Sequence, residues 1–150
     1  MKNLSTILKQ LALMLSLLTT TIFAQPISWQ QLNGPFGGTP LCFATNSNGD
    51  IFAGTDQNQR GVFKSTDAGL VWLQNSNGIE LTDRAINWLA LDDSGYIIAG
   101  TGSHIGSMVY KSKDNGESWS MIASLGGSCV AKNDSGHIYV GNTDYAQYSV

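Results

Sequence analysis

Two aspartates in this 150-residue chain stand in the same local pattern. They are Asp67 in Ser65-Thr-Asp67-Ala-Gly69-Leu-Val-Trp72 and Asp114 in Ser112-Lys-Asp114-Asn-Gly116-Glu-Ser-Trp119. A carboxylate so placed could serve as an acid, a base or a nucleophile. It could also accept backbone N–H bonds from a tight turn, and the Gly two residues on favours the turn. A structural role is therefore expected for Ser65, Asp67, Gly69, Ser112, Asp114 and Gly116. Trp72 and Trp119 are expected to pack between sheets rather than to hold a ligand, because aromatic side chains dominate core burial. Further carboxylates lie in loops or turns at Asp56, Asp83, Asp92, Asp93 and Asp144. Paired acid–base work needs two of them facing one bond, and the spacing singles out no pair.

The remaining reactive residue types point the same way. His104 and His137 occupy positions expected to be solvated. No cluster of His, Cys and carboxylate has zinc-ligand spacing. No phosphate-binding or dinucleotide-binding glycine motif occurs, and neither Ser65 nor Ser112 sits in a nucleophile elbow. Asn133-Asp-Ser135 is formally a glycosylation sequon, but a turn already explains its residue types. No catalytic, metal-binding or cofactor-binding residue is picked out, and no cofactor is expected.

The elements that hold these residues are repeats. Cys42-Phe-Ala-Thr-Asn-Ser-Asn-Gly-Asp-Ile-Phe-Ala-Gly54, Trp88-Leu-Ala-Leu-Asp-Asp-Ser-Gly-Tyr-Ile-Ile-Ala-Gly100 and Cys129-Val-Ala-Lys-Asn-Asp-Ser-Gly-His-Ile-Tyr-Val-Gly141 align without a gap. Their closing glycines are 46 and 41 residues apart. Each segment reads as a short apolar strand, an Asn/Asp–Gly turn, and a second strand rich in β-branched and aromatic residues. Cys42 and Cys129 share one repeat position, which Trp88 fills in the middle copy. Equivalent positions two repeats apart are too distant for a disulfide, so two buried free thiols are expected.

Gly61-Val-Phe-Lys-Ser and Met108-Val-Tyr-Lys-Ser lead into the two aspartate turns as third strands, and each Trp opens a fourth. Four short antiparallel strands in about 45 residues are the content of a β-propeller blade. Strands are predicted near 41–46, 50–55, 61–65, 71–75, 86–92, 96–101, 108–112, 118–123, 128–133 and 137–142. The predicted core includes Phe43, Ile51, Phe52, Val62, Trp72, Leu89, Ile97, Val109, Trp119, Val130 and Ile138.

The two aspartate segments resemble Asp-box motifs, the Ser-x-Asp-x-Gly-x-(Ser/Thr)-Trp repeats of bacterial-neuraminidase-repeat propellers. The second copy matches every position, and the first has Val71 where Ser or Thr is usual. The resemblance implies an all-β propeller segment of four-stranded blades. It also implies that the Asp-box lies on the outer turns of a blade, away from the axial ligand site.

Ile27-Ser-Trp29-Gln-Gln-Leu32 looks like a blade's last strand arriving before any complete blade, as when an N-terminal strand completes the final blade of a ring. Val150 falls where Val62 and Val109 start third strands. The expected content is two complete blades, half of a third, and one N-terminal strand. Such a chain is too short to close a ring of six to eight blades, so a fragment of a longer protein is expected. Ring closure by oligomerisation is the alternative, and open sheet edges invite self-association.

Met1–Ala24 reads as a secretory signal peptide, with Lys2 and Lys9, an apolar run from Leu11 to Leu18, and a cut after Ala24. An uncleaved membrane anchor is the rival, although the apolar stretch is short for a span. Residues 25–150 would form the partial propeller, secreted, periplasmic or at the cell surface, with no stable membrane span after cleavage. The chain has 8 Lys+Arg and 11 Asp+Glu; the leader takes two lysines and leaves six basic residues. Acidic balance without a basic run excludes electrostatic nucleic-acid binding. Hydrophobic residues at 42% exclude a disordered chain.

Two functions follow from the resemblance. As a glycosidase, a sialidase-like member is expected to hold its substrate's carboxylate with three arginines, and the mature chain has only Arg60 and Arg84. The sialidase Phe/Tyr-Arg-Ile-Pro sequence is absent. Gly34-Pro-Phe-Gly-Gly-Thr-Pro40 stands in its general place without an Arg. An exported, non-catalytic binding or scaffold module with a glycan or protein ligand fits the residues better. A truncated part of a glycoside hydrolase, sialidase-like or glucan-degrading, is the alternative.

Overall fold

A computed structural model describes Asn3 and residues 27–56, 60–80, 85–102, 107–124, 129–141 and 146–148. The expected leader falls outside them apart from Asn3, as do Asp83, Arg84, His104, Asp144 and Val150. The chain divides into a unit Met1–Gln31 and a unit Leu32–Val150, and the second holds every described strand. No helix among the described residues is long and apolar enough to cross a membrane.

Among the described residues, eleven strands form three antiparallel sheets. The first sheet runs β1 (Pro40–Thr45), β2 (Ile51–Thr55), β3 (Val62–Ser65) and β4 (Leu73–Gln74). The second runs β5 (Ala85–Leu91), β6 (Ile97–Gly102), β7 (Val109–Ser112) and β8 (Ser120–Ala123). The third holds β9 (Cys129–Lys132), β10 (Ile138–Gly141) and β11 (Ala146–Tyr148). Strands are neighbours in chain order, so each sheet is a meander, the form of a propeller blade.

The same turn closes each first hairpin. Asn46 Oδ1 accepts the N–H groups of Asn48 and Asp50 at 3.0 and 2.9 Å. Asp92 Oδ1 accepts those of Ser94 and Tyr96, and Asn133 Oδ1 those of Ser135 and His137. The sequon asparagine therefore spends its side chain on its own turn.

Register places Cys42 opposite Gly54, Trp88 opposite Gly100 and Cys129 opposite Gly141. A Cβ at Gly100 would run into the Trp88 indole, and one at Gly141 would lie 2.8 Å from the Cys129 sulfur. The backbone comes close because the opposing side chain needs that space.

Alternation sorts the side chains onto two faces of each sheet. Phe52 and Val62 of the first sheet pack with Leu89, Ile97, Tyr110 and Trp119 of the second, around Ile86. On the opposite face of the second sheet, Trp88, Ile98 and Val109 pack with Ile138 and Val140 of the third. The second blade thus offers one face to the blade before it and the other to the blade after it.

The structure corrects several expectations. Residues 27–39 form no strand here, and the final blade that Ile27–Leu32 was expected to complete is not among the described sheets. The third sheet has three strands rather than two, because β11 begins at Ala146, sooner after its hairpin than β3 and β7 do. The fourth strand of the first sheet shrinks to Leu73–Gln74, since the Val71 N–H is held by Asp67 and the chain is still turning there. Phe43 is 58% exposed rather than in the core, although Ala53 and Phe63, in the same cross-strand row of the first sheet, are buried. Trp72, Ile51 and Val130 are only half-buried.

Cys42 and Cys129 are free, but neither is buried as expected. Cys42 is half-buried, donates to the Ile86 carbonyl at 3.4 Å, and has its thiol pushed up to about 11 by desolvation. Cys129 is exposed, on the face of the third sheet turned away from the second.

Candidate functional site

The two aspartate turns are built alike. Ser65 Oγ donates to Asp67 Oδ1 at 2.8 Å and accepts the Gly69 N–H at 2.9 Å. Asp67 Oδ1 also accepts the Val71 N–H at 2.9 Å. Ser112 Oγ donates to Asp114 Oδ1 at 2.8 Å and accepts the Gly116 N–H at 2.8 Å, and Asp114 Oδ1 accepts the Ser118 N–H at 2.9 Å. Asp114 gains one more partner, since the Ser118 hydroxyl donates to its Oδ2. Val71 has no hydroxyl to offer.

These bonds hold both carboxyls in the ionised form. The Val71 N–H, then the Ser65 hydroxyl, lower Asp67 below the usual carboxylate range. The Ser118 hydroxyl, its N–H and the Ser112 hydroxyl take Asp114 to about 2. A carboxyl that stays charged this far down cannot serve as a general acid near neutrality. The turn residues are committed to the backbone, and their tryptophans differ. Trp119 is buried and donates its indole N–H to the Asn75 carbonyl at 2.9 Å, while Asn77 accepts its backbone N–H at 2.9 Å. Trp72 donates to Gly69, and its ring tilts against Phe43 at 6.2 Å.

A polar network missed by reading the sequence joins the first hairpin turn to the second aspartate turn. Asn115 donates to Asp50 Oδ2 at 2.7 Å and accepts from Asn46 at 2.8 Å, and Asn46 also reaches Asp50 at 3.1 Å. Asp50 is buried, and the amides of Asn115 and Asn46 lower its carboxyl despite desolvation. Asn115 holds φ at 59°, a left-handed conformation that Asn tolerates. An Asn inside Asp-x-Gly was the available signal.

Two cavities open between successive blades. One, about 330 Å³, is lined by Lys64, Asp67, Leu73 and Glu117 among others, and Lys64 pairs with Glu117 at 3.0 Å. The other, about 340 Å³, lies between the second and third blades. Its lining includes Asp92, Asp93, Lys111 and His137, with Ile98 and Ile138 as apolar walls. This second cleft brings together two of the carboxylates singled out in the sequence.

Neither carboxylate there is free for chemistry. Lys111 holds Asp92 at 2.8 Å, and Lys132 holds Asp93 at 2.7 Å. Burial pushes the Asp92 carboxyl up, but the Lys111 ammonium and the N–H groups of Tyr96 and Ser94 outweigh it and leave it lowered. Lys111 also lies 4.8 Å from the centre of the Tyr96 ring. His137 is half-buried, and its ring nitrogen lies 3.2 Å from the Asn133 amide rather than in open solvent. Among the described residues no group of three His, Cys, Asp or Glu could hold a metal ion.

No family model and no curated protein matches the chain. Solved structures do. The chain is similar to a candidate gluconolactonase, with a TM-score of 0.55 and 16% identity over 67% of this chain and 40% of that one. It is also similar to PorZ, a bacterial surface component of the type-IX secretion system of Porphyromonas gingivalis, with a TM-score of 0.57 and 18% identity. That match covers 74% of this chain and 17% of PorZ. The chain thus spans well under half the length of either neighbour. At such identities the likeness is one of fold, and the shared fold is an all-β, propeller-like stack of antiparallel sheets.

Proposed function

We propose that this chain is an exported propeller segment that acts as a non-catalytic binding or scaffold module for a polar glycan or protein ligand. The observation that carries this reading is the cleft between the second and third blades. It is polar, walled by isoleucines, and its two carboxylates are each held by a lysine. Such a cleft offers hydrogen-bonding groups to a ligand without a free acid–base pair. The assignment to the Asp-box repeats rests on the residues and hydrogen bonds of the two aspartate turns. Export rests on the leader sequence, and PorZ, a surface component, shares the fold.

The test is a glycan and peptide array probed with the exported chain, beside a panel of fluorogenic sialosides and glucan oligomers. Binding without turnover is expected. Ser135→Trp, which fills the cleft from an exposed turn, should abolish binding and leave the thermal midpoint unchanged. Turnover of any substrate would move the protein to the glycoside hydrolases, and failure to bind anything would overturn the reading.

A further inference from the structure

The two aspartate turns differ in one hydroxyl, and the turn without it borders a cavity. At the second turn the Ser118 hydroxyl donates to Asp114 Oδ2. At the first, Val71 stands in that place, and among the described residues no hydroxyl reaches Asp67 Oδ2. Asp67 and Val71 both line the cavity of about 330 Å³ between the first and second blades. Small-ligand pockets begin at about 300 Å³. Lys64 and Asn75 line the same cavity. Lys64 places one N–H on Glu117 at 3.0 Å, and an ammonium carries more than one. Its side chain is 11% exposed, so the ammonium is held in the wall. Asn75 spends its backbone N–H on Val62 and its carbonyl on Trp119. Its side-chain amide bonds to no protein group among the described residues. Val71 and Leu73, 57% and 66% exposed, supply an apolar wall. The second blade carries Ser118 and Ile122 where the first has Val71 and Asn75. The first blade thus lacks the hydroxyl that would occupy the carboxylate, and has an amide where the second has an alkyl group.

We propose that the cleft between the first and second blades binds a neutral sugar, whose hydroxyls donate to Asp67 Oδ2 and accept from Lys64 and Asn75. A hydroxyl suits this set because it both donates to a carboxylate and accepts from an ammonium or an amide. The C–H face of the sugar ring lies on Val71 and Leu73. An anion would meet Asp67 and Glu117, and a cation would meet the Lys64 ammonium held in the wall, so an uncharged ligand is favoured. Asp67 keeps its structural role, because the bonds that hold the turn run to Oδ1. This site is separate from the cleft between the second and third blades, and ligand capture there could stand if this proposal failed.

The test follows the NMR signals of the Val71 methyls, the Asp67 carboxyl and the Asn75 amide in the full chain. Neutral oligosaccharides of glucose, galactose, mannose and xylose are titrated in, beside a sialoside and a lysine-rich peptide. Shifts at all three residues with a neutral sugar are expected. Val71→Ser supplies the missing hydroxyl from within the chain and should weaken that binding about tenfold, the scale of one hydrogen bond to a charged group. Its thermal midpoint should hold or rise, so the loss cannot come from unfolding. Asn75→Ile, which installs the residue of the second blade, should weaken binding by a similar factor. Ser135→Trp, in the other cleft, should leave it unchanged. Absence of shifts with every neutral sugar would overturn the proposal, as would shifts with the sialoside or the peptide alone. A Val71→Ser chain that binds like the parent would also overturn it. Binding that Ser135→Trp abolishes would place the sugar in the other cleft, which overturns this proposal and leaves the binding role standing.

Discussion

At the first aspartate turn, Trp72 gives its indole N–H to Gly69, three residues back in the same turn. At the second, Trp119 gives it to Asn75, in the segment that leaves the neighbouring blade. The local chemistry of Ser, Asp and Gly is nearly superimposable in the two turns, so it does not set the difference. A blade lies in front of Trp119, and none among the described strands lies in front of Trp72. The motif closes a turn by itself, and its tryptophan becomes core only when another blade supplies the wall. The amide of Asn115 adds a second tie across the same boundary, and Ala68 in the equivalent place of the first turn cannot.

The largest expected effect separates the two tryptophans. Trp119→Ala should cost about 3–5 kcal/mol, since it opens a cavity between blades and strands the Asn75 carbonyl. Trp72→Ala should cost about 1 kcal/mol, the ordinary scale for a half-exposed site. Denaturant unfolding of both variants checks this, and equal costs would break the comparison. Next in size is Asn115→Gly, which keeps the left-handed backbone and removes only the amide. It should cost about 1–3 kcal/mol by leaving buried Asp50 short of a partner, while Ala68→Gly should cost nothing.

The smallest effect comes from exchanging the hydroxyls, Ser118→Val and Val71→Ser. Each should shift stability by about 0.5–1.5 kcal/mol, downward for the first and upward for the second. The pH dependence sharpens the point. Asp114 is lowered to about 2 in the folded chain, below the ordinary carboxylate value of about 3.9. Its contribution is therefore complete above the ordinary value and fades as pH falls towards 2. Carboxyl NMR titration of Ser118→Val should bring Asp114 back towards the usual range. A curve unchanged by Ser118→Val would mean that the hydroxyl is not what holds the charge.

The blade plan was legible because its signals are local. Asn46, Asp92 and Asn133 announce their turns by residue type, and Ser, Asp and Gly announce the next ones. Strands followed to within about two residues, the aspartate turns taking the first two residues of each fourth strand, at Val71 and at Ser118. Burial was less legible than the strands. Leu89 and Phe43 occupy one repeat position and look alike in sequence, yet one is covered and the other is not. The Asn75 and Asn77 carbonyls that receive Trp119 belong to a linking segment without a repeat motif, so nothing marked them. The cleft between the second and third blades went unseen for a similar reason. Lys111 and Lys132 lie 19 and 39 residues from the carboxylates they hold, on other strands.

The pairing of one glycine with one variable residue in every first hairpin restricts how such a chain can evolve. Gly54, Gly100 and Gly141 face Cys42, Trp88 and Cys129, so the glycine is constant across the copies while its partner ranges from a thiol to an indole. Change enters through the partner, because any side chain that fits the gap above a bare backbone is accepted. A mutation of Gly100 or Gly141, by contrast, requires that the partner first be cut back, and at Gly54 the Ile86 backbone blocks a side chain as well. Duplicated blades can therefore drift apart at one position of each pair and keep a common pitch at the other.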